Sequence, residues 1–190
     1  MNQIFSICDP SPVAWCMQRC GNDIAVEIGT YYAGWTAVMS QNFKQVITLQ
    51  SIMPTHLEHF DKTQKDQQGR ERPLAEHARR IVPEQYHGSY DFNYLTQQLT
   101  QLTNVTCMLA SSPPTMPWLH SYDLCTIDVT HDPLVNLQHY QFWKQHGKAN
   151  AIMLIGTYGW RTNGARQLLD NIAEPYEILG PNDNYVAVML

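Results

Sequence analysis

The sequence predicts a three-layer α/β domain built on a mainly parallel sheet of about seven strands. Short apolar segments alternate with helix-like segments along most of the 190 residues. The first apolar segment, "IAVEIG", does not alternate with polar residues, which indicates a strand buried on both faces. The last two strand-like segments have no helix between them, so we expect them to form an antiparallel hairpin at or near one edge.

The elements follow one another in a regular order. Strands are expected at 24–29, 45–50, 105–111, 122–129, 150–157, 176–180 and 185–190. Helices are expected at 11–21, 31–42, 73–82, 91–102, 131–147 and 163–172. In the first helix we predict Ser11 as the N-cap and Pro12 at the first helical position, with Gly21 closing it.

Residues 51–90 interrupt this order. Their first half includes the polar stretch "HFDKTQKDQQGRER", which predicts a surface loop, and the helix predicted at 73–82 follows it. An insertion of this length is usually a lid, a binding loop or a disordered excursion. It leaves from the carboxyl end of the second strand, so we expect a lid over a ligand site. The chain is therefore expected to be one domain, 1–190, with an insertion at about 51–90.

The composition and charge argue against nucleic-acid and membrane partners. The net charge of −5 disfavours general electrostatic binding to nucleic acid. The sequence has no apolar run of about 18 residues and no secretion signal at its start, so we expect a cytoplasmic protein with no membrane partner. Cys107 and Cys125 lie in strand-like runs and are expected to be reduced core residues. Cys16 and Cys20 share one helical face, and a thiol pair explains them better than a metal site.

The first predicted strand ends in an unusual motif, "EIGTYYAGWT". It places Glu27, one spacer and Gly29 at a strand-to-helix junction, with Gly34 following. Glycines at such a junction indicate that a ligand approaches the backbone closely. A dinucleotide-binding dehydrogenase needs G-x-G-x-x-G, whereas this chain has G-x-x-x-x-G. A Walker phosphate loop needs Gly-Lys-Ser/Thr, whereas Trp35 follows Gly34.

The motif and the order of elements resemble class I S-adenosylmethionine-dependent methyltransferases, from about Asp23 to Leu190. The nearest likeness is to a small-molecule subfamily whose first motif reads like "EIGTYYGGWT" and whose fourth strand ends in "IDxxH". Residues 127–131, "IDVTH", match the second pattern. The resemblance implies a Rossmann-like methyltransferase fold, S-adenosylmethionine as the cofactor, and a small-molecule acceptor methylated at oxygen.

The resemblance also implies a set of cofactor-binding residues at the carboxyl ends of the strands. The set is Glu27, Gly29, Thr30, Tyr31, Gly34, Gln50, Ser51, Ser111, Ser112 and Asp128. Gly29 would let the cofactor approach the turn, and Glu27 would hold its ammonium group directly or through water. A helix beginning near Tyr31 would offer free N–H groups to the cofactor's carboxylate.

The sequence departs from the family at two strand ends. The second strand ends in Gln50, where the family usually has an acidic residue that holds both ribose hydroxyls. An amide cannot give the charge-assisted bonds of a carboxylate, unless the next residue, Ser51, helps. The fifth strand ends in Gly156 and Thr157, where metal-using members place a second ligand. Asp128 alone is a poor divalent-metal site, so we expect no required metal. His56, His59 and Asp61 in the insertion are best explained as solvated loop residues.

Two residues are candidates for catalysis. His131 is a candidate general base, and Asp128 would orient it or hold the acceptor. The alternative is that His131 only caps the helix start next to Asp132. Ser111 and Ser112 either contact adenine or form the turn before the prolines. Three tryptophans either stack on an aromatic acceptor or pack in the core: Trp118, Trp143 and Trp160.

Two functions remain open at this point. The first is a methyltransferase acting on a small molecule, favoured by Glu27, Gly29, Asp128 and His131. The second is a methyltransferase-fold protein that has lost catalysis and binds a nucleotide-like ligand or a protein partner, favoured by Gln50 and Gly156. A homodimer is compatible with either function.

Overall fold

A computed structural model describes residues 10–30, 34–50, 63–65, 71–73, 99–114, 117–128, 133–156, 168–180 and 185–190. The structural statements below concern these residues. Several predictions lie wholly or largely outside them: the helix at 73–82, most of the helices at 91–102 and 163–172, and the turn at 181–184.

The described residues form nine strands and three α-helices. The strands are β1 (Ile24–Ile28), β2 (Gln45–Gln50), β3 (Thr63–Lys65), β4 (Glu71–Pro73), β5 (Val105–Leu109), β6 (Tyr122–Ile127), β7 (Gly147–Gly156), β8 (Tyr176–Leu179) and β9 (Tyr185–Met189). The helices are α1 (Ser11–Met17), α2 (Gly34–Ser40) and α3 (Pro133–Trp143), and a 3₁₀ turn at Lys144–His146 follows α3.

Seven of the strands form one sheet in the order β5-β2-β1-β6-β7-β9-β8. The first five in this order pair in parallel, while β9 is antiparallel to both β7 and β8. The predicted α/β fold and its closing antiparallel hairpin are confirmed, with β9 one position in from the edge. The chain order changes direction between β1 and β6, and such a switch point is where open α/β sheets bind ligands.

Both faces of the central strands are buried, as the unbroken apolar runs predict. One face packs under α1 and α2 and includes Ala25, Val46, Leu124, Leu154, Trp35 and Met39. The opposite face packs under α3 and includes Val26, Ile47, Cys125, Met153, Tyr140 and Trp143. The alternation follows from the two-residue period of a strand, which sends successive side chains to opposite faces.

Several predicted boundaries are wrong. Pro10, not Ser11, is the N-cap of α1, because the Ala14 N–H donates to the Pro10 carbonyl at 2.9 Å. The helix ends at Met17, before Gly21. The described part of α2 begins at Gly34, and residues 31–33 lie outside the described residues.

Strand β7 begins at Gly147, three residues earlier than predicted, directly after the 3₁₀ turn. A shift in the pairing with β6 lies between Tyr122 and Leu124, and opposite it Asn150 adopts a φ of 68°. A bulge of this kind accommodates extra residues in one strand of a pair. It lets β7 pair with β6 from Gly147 onward.

The polar stretch predicted as a surface loop contains a two-stranded antiparallel pairing. Thr63 pairs with Pro73, and Lys65 pairs with Glu71. Pro73, the predicted start of a helix, therefore lies in β4. Main-chain pairing between short strands requires no apolar pattern, so the composition did not reveal it.

A charged cluster holds the amino ends of the strands together. The buried Asp123 carboxylate in β6 accepts hydrogen bonds from the N–H groups of Asp23 and Ile24 at 3.0 and 2.9 Å. Lys148 donates to both Asp123 and Asp23, at 2.9 and 3.0 Å. These contacts join β1, β6 and β7 at the edge of the sheet opposite the switch point. In the described part of the chain, no helix has the length and apolarity needed to cross a membrane.

Candidate functional site

The carboxyl edge of the sheet brings three of the predicted residues side by side. The Gly29 N–H donates to the Leu49 carbonyl at 2.9 Å, and the Asp128 N–H donates to the Ile28 carbonyl at 3.1 Å. The Gln50 carbonyl accepts from Ala110 at 3.1 Å. Gln50 is therefore the last residue of β2, while Gly29 and Asp128 directly follow the adjacent strands β1 and β6.

Gly29 has a φ of 90°, in the region that favours glycine. The chain thus turns sharply at the end of β1, which is what the motif predicts. Thr30, the next residue, is only 2% exposed, so its side chain points into the protein.

Glu27 is buried beneath this turn, with 3% of its surface exposed. Its Oε2 atom accepts hydrogen bonds from the hydroxyls of Thr36 in α2 and Thr48 in β2, the latter at 2.8 Å. The Thr48 oxygen also contacts the Thr30 hydroxyl. Glu27 and its three threonines thus form a connected group, here called the Glu27 cluster, that joins β1, β2, α2 and the turn.

The environment of Glu27 favours its neutral form. Burial raises its pKa to about 7, the hydroxyl bonds from Thr36 and Thr48 act in the opposite direction, and the charge of Asp128 raises it further. A carboxyl group in this condition gains most from a positively charged partner, because a cation offsets the cost of burying the carboxylate. A cationic group that reached this carboxyl would therefore favour its ionised form.

Asp128 is partly buried at the end of β6, and its charge acts on Glu27. Gly34 is buried at the start of α2. Ser111 is exposed, beyond the end of β5. Four residues with predicted roles lie outside the described residues, namely Tyr31, Ser51, His131 and Trp160. Their roles stay predictions.

Ser112 has protein partners in this structure. Its hydroxyl accepts a hydrogen bond from Trp143 Nε1 at 3.0 Å and shares one with His139 Nδ1 at 3.0 Å. His139 is 3% exposed, and its burial lowers its pKa to about 4, so it is neutral at pH 7. These contacts tie the proline-rich connection after β5 to α3.

Trp143 is fully buried, which places it in the core rather than against an acceptor. Its ring packs edge-on against Trp118, with ring centroids 4.8 Å apart. Trp118 is only partly buried, and its indole N–H has no hydrogen-bond acceptor among the described residues.

Sequence reasoning missed Thr36 and Thr48. Both are fully buried, and both bond to the motif carboxylate. A usable signal was a single hydroxyl residue inside the apolar strand "VITLQ". The pairing of Glu27 with Thr48 across β1 and β2 then places the two side chains on the same face.

Neither the known protein-family models nor the curated proteins gave a match to the sequence. Solved structures do match. An rRNA methylase from Streptococcus thermophilus is 12% identical with a TM-score of 0.59, covering 97% of this chain and 96% of that one. The O-methyltransferase NovP is 13% identical with a TM-score of 0.60, covering 94% and 78%. SMU.1697c from Streptococcus mutans, solved in complex with SAH, is 12% identical with a TM-score of 0.53, covering 97% and 100%.

At these identities the likeness establishes the fold. The chain has the Rossmann-like fold of these methyltransferases over nearly its whole length.

Proposed function

We propose that this protein is an S-adenosylmethionine-dependent methyltransferase that acts on a small molecule, at an oxygen atom. The observation that carries the proposal is the turn at the end of β1. Gly29, with its positive φ, comes two residues after the buried Glu27 carboxyl, at the switch point of a methyltransferase-like sheet.

The chemistry of this turn suits the methionine end of the cofactor. The ammonium group would be held by Glu27, directly or through water, because a positive partner offsets the cost of burying the carboxylate. Gly29 leaves the approach to the backbone free of a Cβ atom. Gln50, at the end of β2, would hold the ribose. Asp128, at the end of β6, would hold either the cofactor or the acceptor.

The chemical step needs alignment more than bond activation, because the methyl group of the sulfonium is already activated. The chain would align an acceptor hydroxyl with that methyl group and remove its proton. His131 is the proposed base and Asp128 its orienting residue. The net charge of −5 favours a small-molecule acceptor over a nucleic acid.

One observation favours a second function, a methyltransferase-fold protein that binds a nucleotide-like ligand without turnover. Strand β2 ends in Gln50, an amide where an acidic residue would hold the ribose. Thermal stabilisation by S-adenosylhomocysteine with no methyl transfer to any phenol, catechol or hydroxy acid would support this second function.

The first test is binding of S-adenosylhomocysteine, measured by calorimetry and by thermal unfolding. At a ligand concentration of 100 times Kd, the bound form gains about 2.7 kcal/mol. For a chain of this size, that gain raises Tm by about 5–10 °C. The Gly29→Val variant should bind no ligand, because valine is strained at this φ and its side chain would fill the approach to the turn.

Gly180→Val is the matched control. Gly180 also has a positive φ, of 85°, but lies at the end of β8, the edge strand. The control should lose stability, since a Cβ there would lie 2.9 Å from the Tyr185 ring, yet the folded protein should bind normally. Normal binding by folded Gly29→Val, or no binding by the wild type, would contradict the proposal.

A further inference from the structure

We propose that Thr48 is a positioning residue of the cofactor site, whose single hydroxyl fixes both the Glu27 carboxylate and the Thr30 side chain of the turn. The inference rests on the proposed function and adds to it a strand-interior residue that contacts neither cofactor nor acceptor.

The number of hydroxyl protons limits which bonds this group can form. A threonine hydroxyl has one proton, and Thr48 donates its proton to Glu27 Oε2 at 2.8 Å. With Glu27 ionised, as a cationic ligand requires, Thr30 is then the donor in its contact with Thr48. The bonds run in one direction, from Thr30 to Thr48 to Glu27. Thr48 thus couples the conformation of the turn to the orientation of the carboxylate.

Burial makes this arrangement specific. Thr48 is fully buried and Thr30 nearly so. Losing a hydrogen bond between them therefore costs free energy, because water does not take the place of the missing partner. The Thr30 proton is used inside the protein, which leaves only its oxygen and its backbone for a ligand. Thr30 would then contribute to the site by holding the turn, and Thr48 would be the residue that holds Thr30.

The charges around Glu27 explain why this support matters. Asp128, from the end of β6, opposes ionisation of Glu27. From β5, the Cys107 thiol interacts with the same charge, and α2, "GWTAVMS", contains no titratable side chain. Hydroxyl donors from Thr36 and Thr48 therefore stabilise the carboxylate that a cationic ligand requires.

The sheet supplies a matched control in Thr126. Glu27 pairs with Thr48 on one side and with Thr126 on the other, so both threonines occupy the same row and face. Both are fully buried, but the Thr126 hydroxyl has no hydrogen-bond partner among the described residues. Thr48→Val therefore removes the hydrogen bonds to Glu27 and Thr30, whereas Thr126→Val removes no hydrogen bond to a described residue.

The experiment compares wild type, Thr48→Val, Thr48→Ser and Thr126→Val. Affinity for S-adenosylhomocysteine is measured by calorimetry from pH 6 to 9, and the Glu27 carboxyl is titrated by ¹³C NMR in the ligand-free protein. Thr48→Val should bind about tenfold more weakly at pH 7. The pKa of Glu27 and the pH profile of binding should both move upward, by about one unit. Thr48→Ser and Thr126→Val should behave like wild type.

Two results would overturn the inference: equal effects of Thr48→Val and Thr126→Val, or a loss in Thr48→Ser as large as in Thr48→Val. Thr48→Ala and Thr126→Ala repeat the comparison should either valine variant fail to fold. The ligand-free titration separates this inference from the proposed function. If wild type does not bind S-adenosylhomocysteine, the proposed function fails, whereas an unchanged Glu27 pKa in Thr48→Val refutes the role of Thr48 itself.

Discussion

Gln50 is one of the two strand ends at which the chain departs from the methyltransferases that it resembles. It ends β2 beside the Gly29 turn, and its backbone carbonyl is already bonded to Ala110. Its side-chain amide would offer the ribose neutral hydrogen bonds only, whereas a carboxylate would accept two charge-assisted ones.

Gln50→Glu should therefore tighten binding of S-adenosylhomocysteine. The expected gain is about 1 kcal/mol, or about fivefold in Kd at pH 7, measured by calorimetry. Gln45→Glu, at the opposite end of the same strand, is the control and should leave Kd unchanged. Weaker binding by Gln50→Glu would mean that the ribose is held elsewhere or that the site serves another ligand.

At the scale of elements, the connection between β5 and β6 depends on side-chain contacts with α3. Its described residues, 110–114 and 117–121, contain no helix, and Leu119 within it is exposed. Ser112 attaches this connection to α3 through His139 and Trp143.

Ser112→Ala should destabilise the protein because it leaves polar groups of His139 and Trp143 buried without that partner. The expected loss is about 1–3 kcal/mol in the free energy of urea unfolding. Ser111→Ala changes an exposed neighbour and should stay within about 0.5 kcal/mol of wild type. Equal stabilities of the two variants would show that the Ser112 contacts contribute nothing.

At the scale of the whole molecule, two buried groups give opposite pH dependences of stability. Glu27 has its pKa raised to about 7, so its neutral form stabilises the folded state at low pH, and this contribution is lost between about pH 4.5 and 7. His139 has its pKa lowered to about 4, so its contribution is present above about pH 6.5 and is lost as the pH falls toward 4. Each contribution is at most about 3 kcal/mol, and they offset each other in wild type.

Removing one of these two groups should reveal the pH dependence of stability that the other group causes. Glu27→Gln should lose stability as the pH falls from 6.5 to 4.5, whereas His139→Gln should lose stability as the pH rises over the same range. The free energy of unfolding, measured in urea at several pH values, checks both slopes, and wild type should show a smaller slope than either. Parallel profiles for the three proteins would refute this account.

The sequence determined the fold class and predicted the turn at the end of β1. Unbroken apolar runs such as "IAVEIG" and "QVITLQ" indicate buried strands, because burial on both faces removes the polar alternation. The glycine that ends β1 predicted the sharp turn, since few other residues adopt a φ of 90°. Element boundaries were less accurate, because pairing between strands, as at the bulge around Asn150, extends them beyond their local pattern.

Only the tertiary structure placed Thr36, Thr48 and Thr30 around Glu27, and Ser112 between His139 and Trp143. The reason is physical. Strand register decides which hydroxyl lies beside a carboxyl group, and register joins residues 21 positions apart, as in Thr48 and Glu27. The identity of a hydrogen-bond partner is therefore set by sheet order and helix packing, which a local pattern does not encode.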